Sequence, residues 1–169
     1  MKKSTFLFTI AGSFLTLVLF NACKKDAQPA KTQEQEIEIG LDKFASDLTA
    51  TPPTPANLNA SIKAYMLANP SYFYGSTVTL IDPATKLATY SPYWYRRNGG
   101  LDSINLAADP TYRINEQPWL RQSLFSGNSM WTFPYFDAGG GDIWMKTRTV
   151  PVKVGGTIIA IATTDFQVQ

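Results

Sequence analysis

Seven aromatic residues, Tyr90, Tyr93, Trp94, Tyr95, Trp119, Trp131 and Tyr135, fall within one stretch of the chain. Rings that carry a hydroxyl or an indole N–H suit a pocket for a small organic solute, and they suit a packed core equally well. Strand alternation would put Tyr93 and Tyr95 on one face and Trp94 and Arg96 on the other. At most one of these sets faces a pocket, and Tyr93 and Tyr95 are the candidates. Asp137, Asp142 and Asp165 are the nearby carboxylates. Paired carboxylates can do acid–base work, but no nucleophile–base motif accompanies them, so no catalytic residue is assigned. Arg96, Arg97, Arg113 and Arg121 could each grip a carboxylate bidentately, against the ordinary alternative of a solvated surface. The run from Asp137 to Asp142 encloses three glycines. It is neither a phosphate loop, which needs Gly-Lys-Ser/Thr leading into a helix, nor an EF-hand, which needs alternating acidic ligands. A hairpin turn is the reading that remains.

What is missing narrows the chemistry further. The chain has no histidine, which removes imidazole acid–base catalysis and His-ligated zinc. Its one cysteine, Cys23, allows neither an internal disulfide nor a thiolate cluster. No metal or cofactor is expected. Hydrophobic residues make up 44% and charged residues 17%, an ordinary globular balance. Lys and Arg total 15 against 13 acidic residues, and without Lys2 and Lys3 the two signs balance. No electrostatic case for nucleic-acid binding is left.

The elements that must position these groups are legible as changes of period. Ile37, Leu41, Phe44 and Leu48 recur at helical spacing behind an acidic first turn, and Thr51-Pro52-Pro53-Thr54-Pro55 ends that helix. A second helix is predicted from Ala56 to Ala68, with Leu58, Ile62, Tyr65 and Met66 inward. Beyond Pro70 the β-formers take over. Strands are predicted at Phe73–Ile81, Leu87–Tyr95, Trp131–Phe136, Ile143–Val152 and Thr157–Val168, with a short helix from Pro118 to Phe125. Glycine- and proline-bearing turns between them imply antiparallel pairing. The fold class is therefore α+β, with N-terminal helices packed on a central antiparallel sheet of about five strands.

The N-terminus reads as an address. Lys2 and Lys3 precede an apolar stretch from Phe6 to Phe20, whose helical length of roughly 22 Å falls short of a ~30 Å hydrocarbon core. A signal segment fits better than a permanent span. The sequence Leu19-Phe20-Asn21-Ala22-Cys23 resembles the lipobox of bacterial lipoproteins, with Phe20 where an aliphatic residue is usual. The resemblance implies cleavage before Cys23, lipidation of its sulfur, and a domain outside the cytoplasm held on a membrane of the cell envelope. The division is then residues 1–22 as signal peptide, 23–32 as tether and 33–169 as the folded domain.

Within that domain, Tyr72-Phe73-Tyr74-Gly75, Tyr90-Ser91-Pro92-Tyr93-Trp94-Tyr95-Arg96, Trp119, the run from Trp131 to Gly141, Val150-Pro151-Val152 and the closing Thr164-Asp165 follow a recognisable order. Together they resemble the Cache domains, PAS-like extracytoplasmic ligand sensors of bacterial receptors. The match is to a single module, similar to the membrane-distal half of a double Cache. The resemblance implies a ligand pocket on the sheet face opposite the helices, covered by the connection that carries the short helix. Implied ligands are small: amino acids, carboxylates or amines.

On this reading the binding candidates are Tyr93, Tyr95, Trp119, Arg121, Trp131, Tyr135, Asp137 and Asp165. The family's aspartates can hold a ligand ammonium, so Asp137 and Asp165 are carried over in that role. The alternatives are that Asp137 caps the turn after it and that Asp165 marks a strand end. The family's Arg-x-Trp-Tyr stands here as Gln117-Pro118-Trp119-Leu120, and Arg121 is the candidate substitute for the missing arginine. The expected protein is a lipid-anchored sensor, not an enzyme, that binds a small molecule and signals through a partner protein. The competing expectation is a structural or interaction lipoprotein whose pocket is filled by its own side chains.

Overall fold

The computed structural model describes residues 30–168. The signal segment, Cys23 and most of the tether lie outside them. Helix α1 (Gln33–Ala50) begins with a reciprocal cap, in which the Gln35 N–H donates to Thr32 Oγ1 and the Thr32 N–H donates to Gln35 Oε1. Its buried stripe is Ile37, Leu41, Ala45 and Leu48. Helix α2 (Pro55–Ala68) starts on a proline, which needs no N–H at that position, and buries Leu58, Ile62, Tyr65 and Met66 as expected.

The sheet follows. Its strands are β1 (Gly75–Ile81), β2 (Ala88–Tyr90), β3 (Pro92–Arg97), β4 (Gly100–Asn105), β5 (Met130–Trp131), β6 (Tyr135–Phe136), β7 (Trp144–Val154) and β8 (Thr157–Gln167). Helix α3 (Pro118–Ser126) interrupts the long connection between β4 and β5. The order across the sheet is β4-β3-β1-β8-β7-β5, with β2 added to β1 and β6 to β7, and every pair is antiparallel.

Eight segments replace the five expected, for local reasons. The run predicted as Leu87–Tyr95 breaks at Ser91, because Pro92 brings no N–H to a ladder. The Ser91 hydroxyl instead bonds Thr77 Oγ1 at 3.0 Å and Thr79 Oγ1 at 2.7 Å. Pro134 likewise divides the predicted Trp131–Phe136 strand into β5 and β6. Strand β4 was not anticipated. It is a largely exposed edge of polar residues that follows the Asn98-Gly99 turn, where both residues take positive φ.

Each face of the sheet has its own core. The helices bury Ile37, Leu41, Leu58, Ile62, Met66 and Phe73 against Val78, Val150, Val152, Ala160 and Ala162. On the other face, the connection between β4 and β5 folds back and packs Leu106, Tyr112, Ile114, Trp119 and Leu120 onto Tyr93, Tyr95 and Ile161. That second face holds the chemistry.

Candidate ligand-binding site

Pleating decides which side chains of β3 reach the second face. Tyr93 and Tyr95 point there, stacked with their ring centroids 5.3 Å apart. Trp94 and Arg96 point to the helices. The Trp94 indole donates to Asn59 Oδ1 at 3.1 Å, and the Arg96 guanidinium donates to the carbonyls of Phe73, Met66, Asn69 and Pro70. Arg96 thereby closes the end of α2 and is unavailable to any ligand.

A recess forms under the β4–β5 connection. It is lined by Thr77, Tyr93, Leu106, Tyr112, Trp119, Tyr135, Asp137, Thr147, Thr163 and Asp165. Asp165 sits at the middle of the sheet, where β8 meets both β1 and β7, and is 4% exposed. Its Oδ1 accepts from Thr147 Oγ1 at 2.7 Å, and that threonine hydroxyl also bonds Tyr135 OH at 2.8 Å. Asp137 enters from the turn after β6. Its Oδ1 accepts from Tyr112 OH at 2.9 Å and its Oδ2 from the Gly141 N–H at 3.1 Å. The Trp119 indole N–H donates to Tyr112 OH at 3.3 Å. Asp137 therefore caps its own turn and lines the recess at once. A Cβ at position 140 would fall 2.0 Å from Asp137 Oδ2, so glycine is required there for the carboxylate to bend back.

The electrostatics are one-sided. Burial, with the neighbouring negative charge of Asp137, raises the Asp165 carboxyl from the usual carboxylate value to about 7, against the opposing pull of the Thr147 hydroxyl. Burial also raises Asp137, and Asp142 adds to the effect. The Tyr93 hydroxyl is fully buried near Asp165 and makes no hydrogen bond among the described residues. Among the described residues, no lysine or arginine lines the recess. Two carboxylates, hydroxyl groups and aromatic faces offer a complement for a cationic N–H donor. Among the described residues, no group of acidic side chains is placed to hold a metal ion.

The space left between these side chains is about 10 Å³, room for roughly one water. A larger solute would need lining side chains such as Tyr112 and Trp119 to give way.

Six of the eight predicted residues belong to this face: Tyr93, Trp119, Tyr135, Asp137 and Asp165 line the recess, and Tyr95 stacks behind Tyr93. Two do not. Trp131 lies on the helix side, where its indole donates to Glu38 Oε1 at 2.8 Å and Lys146 sits over its ring. Arg121 is exposed and packs its guanidinium over Phe125. Two positions separate Arg121 from Trp119 along α3, which turns it to the far side of the helix. Tyr112, Leu106, Thr77 and Thr163 were missed. Tyr112 belongs to a connection without periodicity, and the threonines looked like ordinary strand residues.

The described residues form an α+β module with a covered recess on the free face of its antiparallel sheet and helices behind it. Residues 59–169 match the family model described as the first PDC sensor domain of methyl-accepting chemotaxis protein-like proteins, and the chain belongs to that family of extracytoplasmic sensor domains. Three solved structures are similar in fold. The extracellular domain of a proposed histidine kinase has a TM-score of 0.64 and 22% identity, over 79% of this chain and 53% of that one. The ligand-binding domain of Campylobacter jejuni chemoreceptor Tlp3, in complex with L-valine, has a TM-score of 0.61 and 13% identity, over 79% and 52%. The ligand-binding domain of the Pseudomonas aeruginosa PAO1 amino-acid chemoreceptor PctC, in complex with GABA, has a TM-score of 0.54 and 15% identity, over 79% and 56%. The chain spans about half the length of these structures. No curated protein matches it. Among the described residues, no helix is long and apolar enough to cross a membrane.

Proposed function

We propose that this domain senses a small extracytoplasmic solute bearing an ammonium group, an amine or an amino acid, and signals its occupancy through a partner protein. One observation carries the reading: Asp137 and Asp165 face a buried, aromatic recess in which, among the described residues, no cationic side chain balances them. A cationic ligand would supply that balance, with Tyr93, Tyr112 and Tyr135 as hydrogen-bonding partners. A lone carboxylate ligand would meet no guanidinium there, so the amine end of the expected ligand range is favoured. The complexes of similar domains with L-valine and GABA, both of which carry an amino group, agree with this choice. The reading is one of binding, in which the two carboxylates pair with the ligand's cation and carry no catalytic step. Cys23 anchors the chain to a membrane by lipidation, which a Cys23→Ser change would abolish, releasing the protein from the membrane fraction.

The test is thermal denaturation of the purified chain with L-valine, GABA, aliphatic diamines and, for contrast, acetate and succinate. A ligand at one hundred times its dissociation constant stabilises by about 2.7 kcal/mol. Stabilisation by the amino compounds and not by the acids supports the reading, and stabilisation by the acids alone overturns it.

The small volume of the recess favours a second reading, in which Tyr93, Tyr112 and Trp119 fill the space permanently and the module serves protein–protein contact. No shift with any solute would select it.

A further inference from the structure

The end of the sheet where β7 begins carries an unexplained aromatic surface. Phe136 and Trp144 oppose each other across the β6–β7 pair, with their rings edge to face and centroids 6.2 Å apart. They remain 49% and 56% exposed, and Phe133, in the connection leading to β6, is 92% exposed. Nothing in the recess requires them. Their place in the fold gives the reason for their exposure. Alternation along β7 puts Met145 and Thr147 toward the recess and Trp144, Lys146 and Arg148 toward α1. Lys146 is ion-paired with Glu34 in the first turn of α1, and Arg148 with Asp42 two turns later. Continuing that progression sets Trp144 just before the helix begins, where the chain enters the domain. The Val168 N–H donates to the Trp144 carbonyl at 3.0 Å, so the end of β8 is there too.

We propose that Phe136 and Trp144 form a membrane-docking element, seated in the headgroup layer of the bilayer that holds the lipidated Cys23. The inference rests on the anchoring reading above. Nine residues lie between Cys23 and Gln33, ten steps of chain with a reach of at most about 36 Å. A tether of that length keeps the start of α1, beside which Trp144 lies, within its reach of the lipid surface. Confinement raises the effective concentration of membrane enough for two or three rings to bind, which they would not do on a free protein. Indole and phenyl rings suit that layer, and Lys24, Lys25 and Lys31 in the same stretch suit its anionic headgroups. Docking would fix which way the recess faces above the membrane.

The test uses the full lipidated chain, reconstituted in phosphatidylethanolamine–phosphatidylglycerol vesicles with or without lipids brominated near the headgroup. Of the four tryptophans, Trp119 is buried and Trp94 and Trp131 are partly covered by helices, so Trp144 should dominate quenching by bromine. Trp144→Phe, whose melting curve should match the parent's, is expected to lose more than half of that quenching. Equal quenching in both proteins, or none while the protein floats with the vesicles, overturns docking and leaves anchoring intact. Failure of the parent to float overturns anchoring, and docking with it. A concentration-dependent change in Trp144 emission without vesicles assigns the surface to a second copy of the chain instead.

Discussion

The two faces of the sheet handle charge in opposite ways. On the helix side the half-buried cations face opposite charge or carbonyl oxygens: Lys146 meets Glu34, Arg148 meets Asp42 although its buried Nε makes no hydrogen bond, and Arg96 meets four carbonyls. The apolar core around them is continuous from α1 to β8. On the recess side two carboxylates lie among hydroxyl groups with no cation, and one tyrosine hydroxyl is left unpaired. Stability is concentrated on one face, and the other retains an imbalance that a ligand can relieve. Sites that bind are commonly sites where the fold has not satisfied itself.

The largest test of that division is on the helix side. Leu41→Ala should cost about 2–5 kcal/mol in chemical denaturation, since Leu41 is fully buried and the helix cannot collapse onto the gap. A loss under 1 kcal/mol would mean that the helix face is not the main core. Next comes pH. Because the Asp165 carboxyl is raised from 3.8 to about 7 in the folded protein, the folded state holds a proton that the unfolded state has released across that window. Stability should therefore fall as pH rises from about 4 to about 7 and stay low above it. Asp165→Asn, which keeps the acceptor for Thr147, should flatten that slope and stabilise the protein at pH 8 by on the order of 1–3 kcal/mol. Thermal melts of both proteins from pH 5 to 8 decide it. A smaller effect of the same sign is expected for Tyr93→Phe. Removing a buried hydroxyl that has no partner should stabilise by about 1 kcal/mol, where tyrosine-to-phenylalanine changes at bonded sites destabilise. Last, Arg121→Ala should change stability by less than about 0.5 kcal/mol and leave solute-dependent melting shifts unaltered. A lost shift would return Arg121 to the site.

Legibility in the sequence also divides by face. The helix side could be read because its elements are periodic. Leu58, Ile62, Tyr65 and Met66 repeat at helical spacing, and Thr32 and Thr54 stand where caps belong. The recess side is assembled from residues whose neighbours in space are far apart in sequence. Asp165 and Thr147 meet only because β7 and β8 pair in one register, and Tyr112 reaches Asp137 from a connection with no pattern at all. The resemblance to a known family located Asp137, Asp165, Tyr135 and Trp119 where periodicity had nothing to offer. Trp131 pairs with Arg148 across β5 and β7 and so shares the helix face, a register that the spacing of aromatic residues does not reveal. Arg121 failed for a reason already present in the sequence, since residues two apart on a helix do not share a face.

Strand β7 touches both faces with alternate side chains, and this ties the two halves of the molecule mechanically. Thr147 holds Asp165 in the recess, while Lys146 and Arg148 on either side of it grip the first turns of α1. A backbone this extended cannot tilt one row of side chains without tilting the other. A displacement of Thr147 would therefore also load the ion pairs that hold the start of α1.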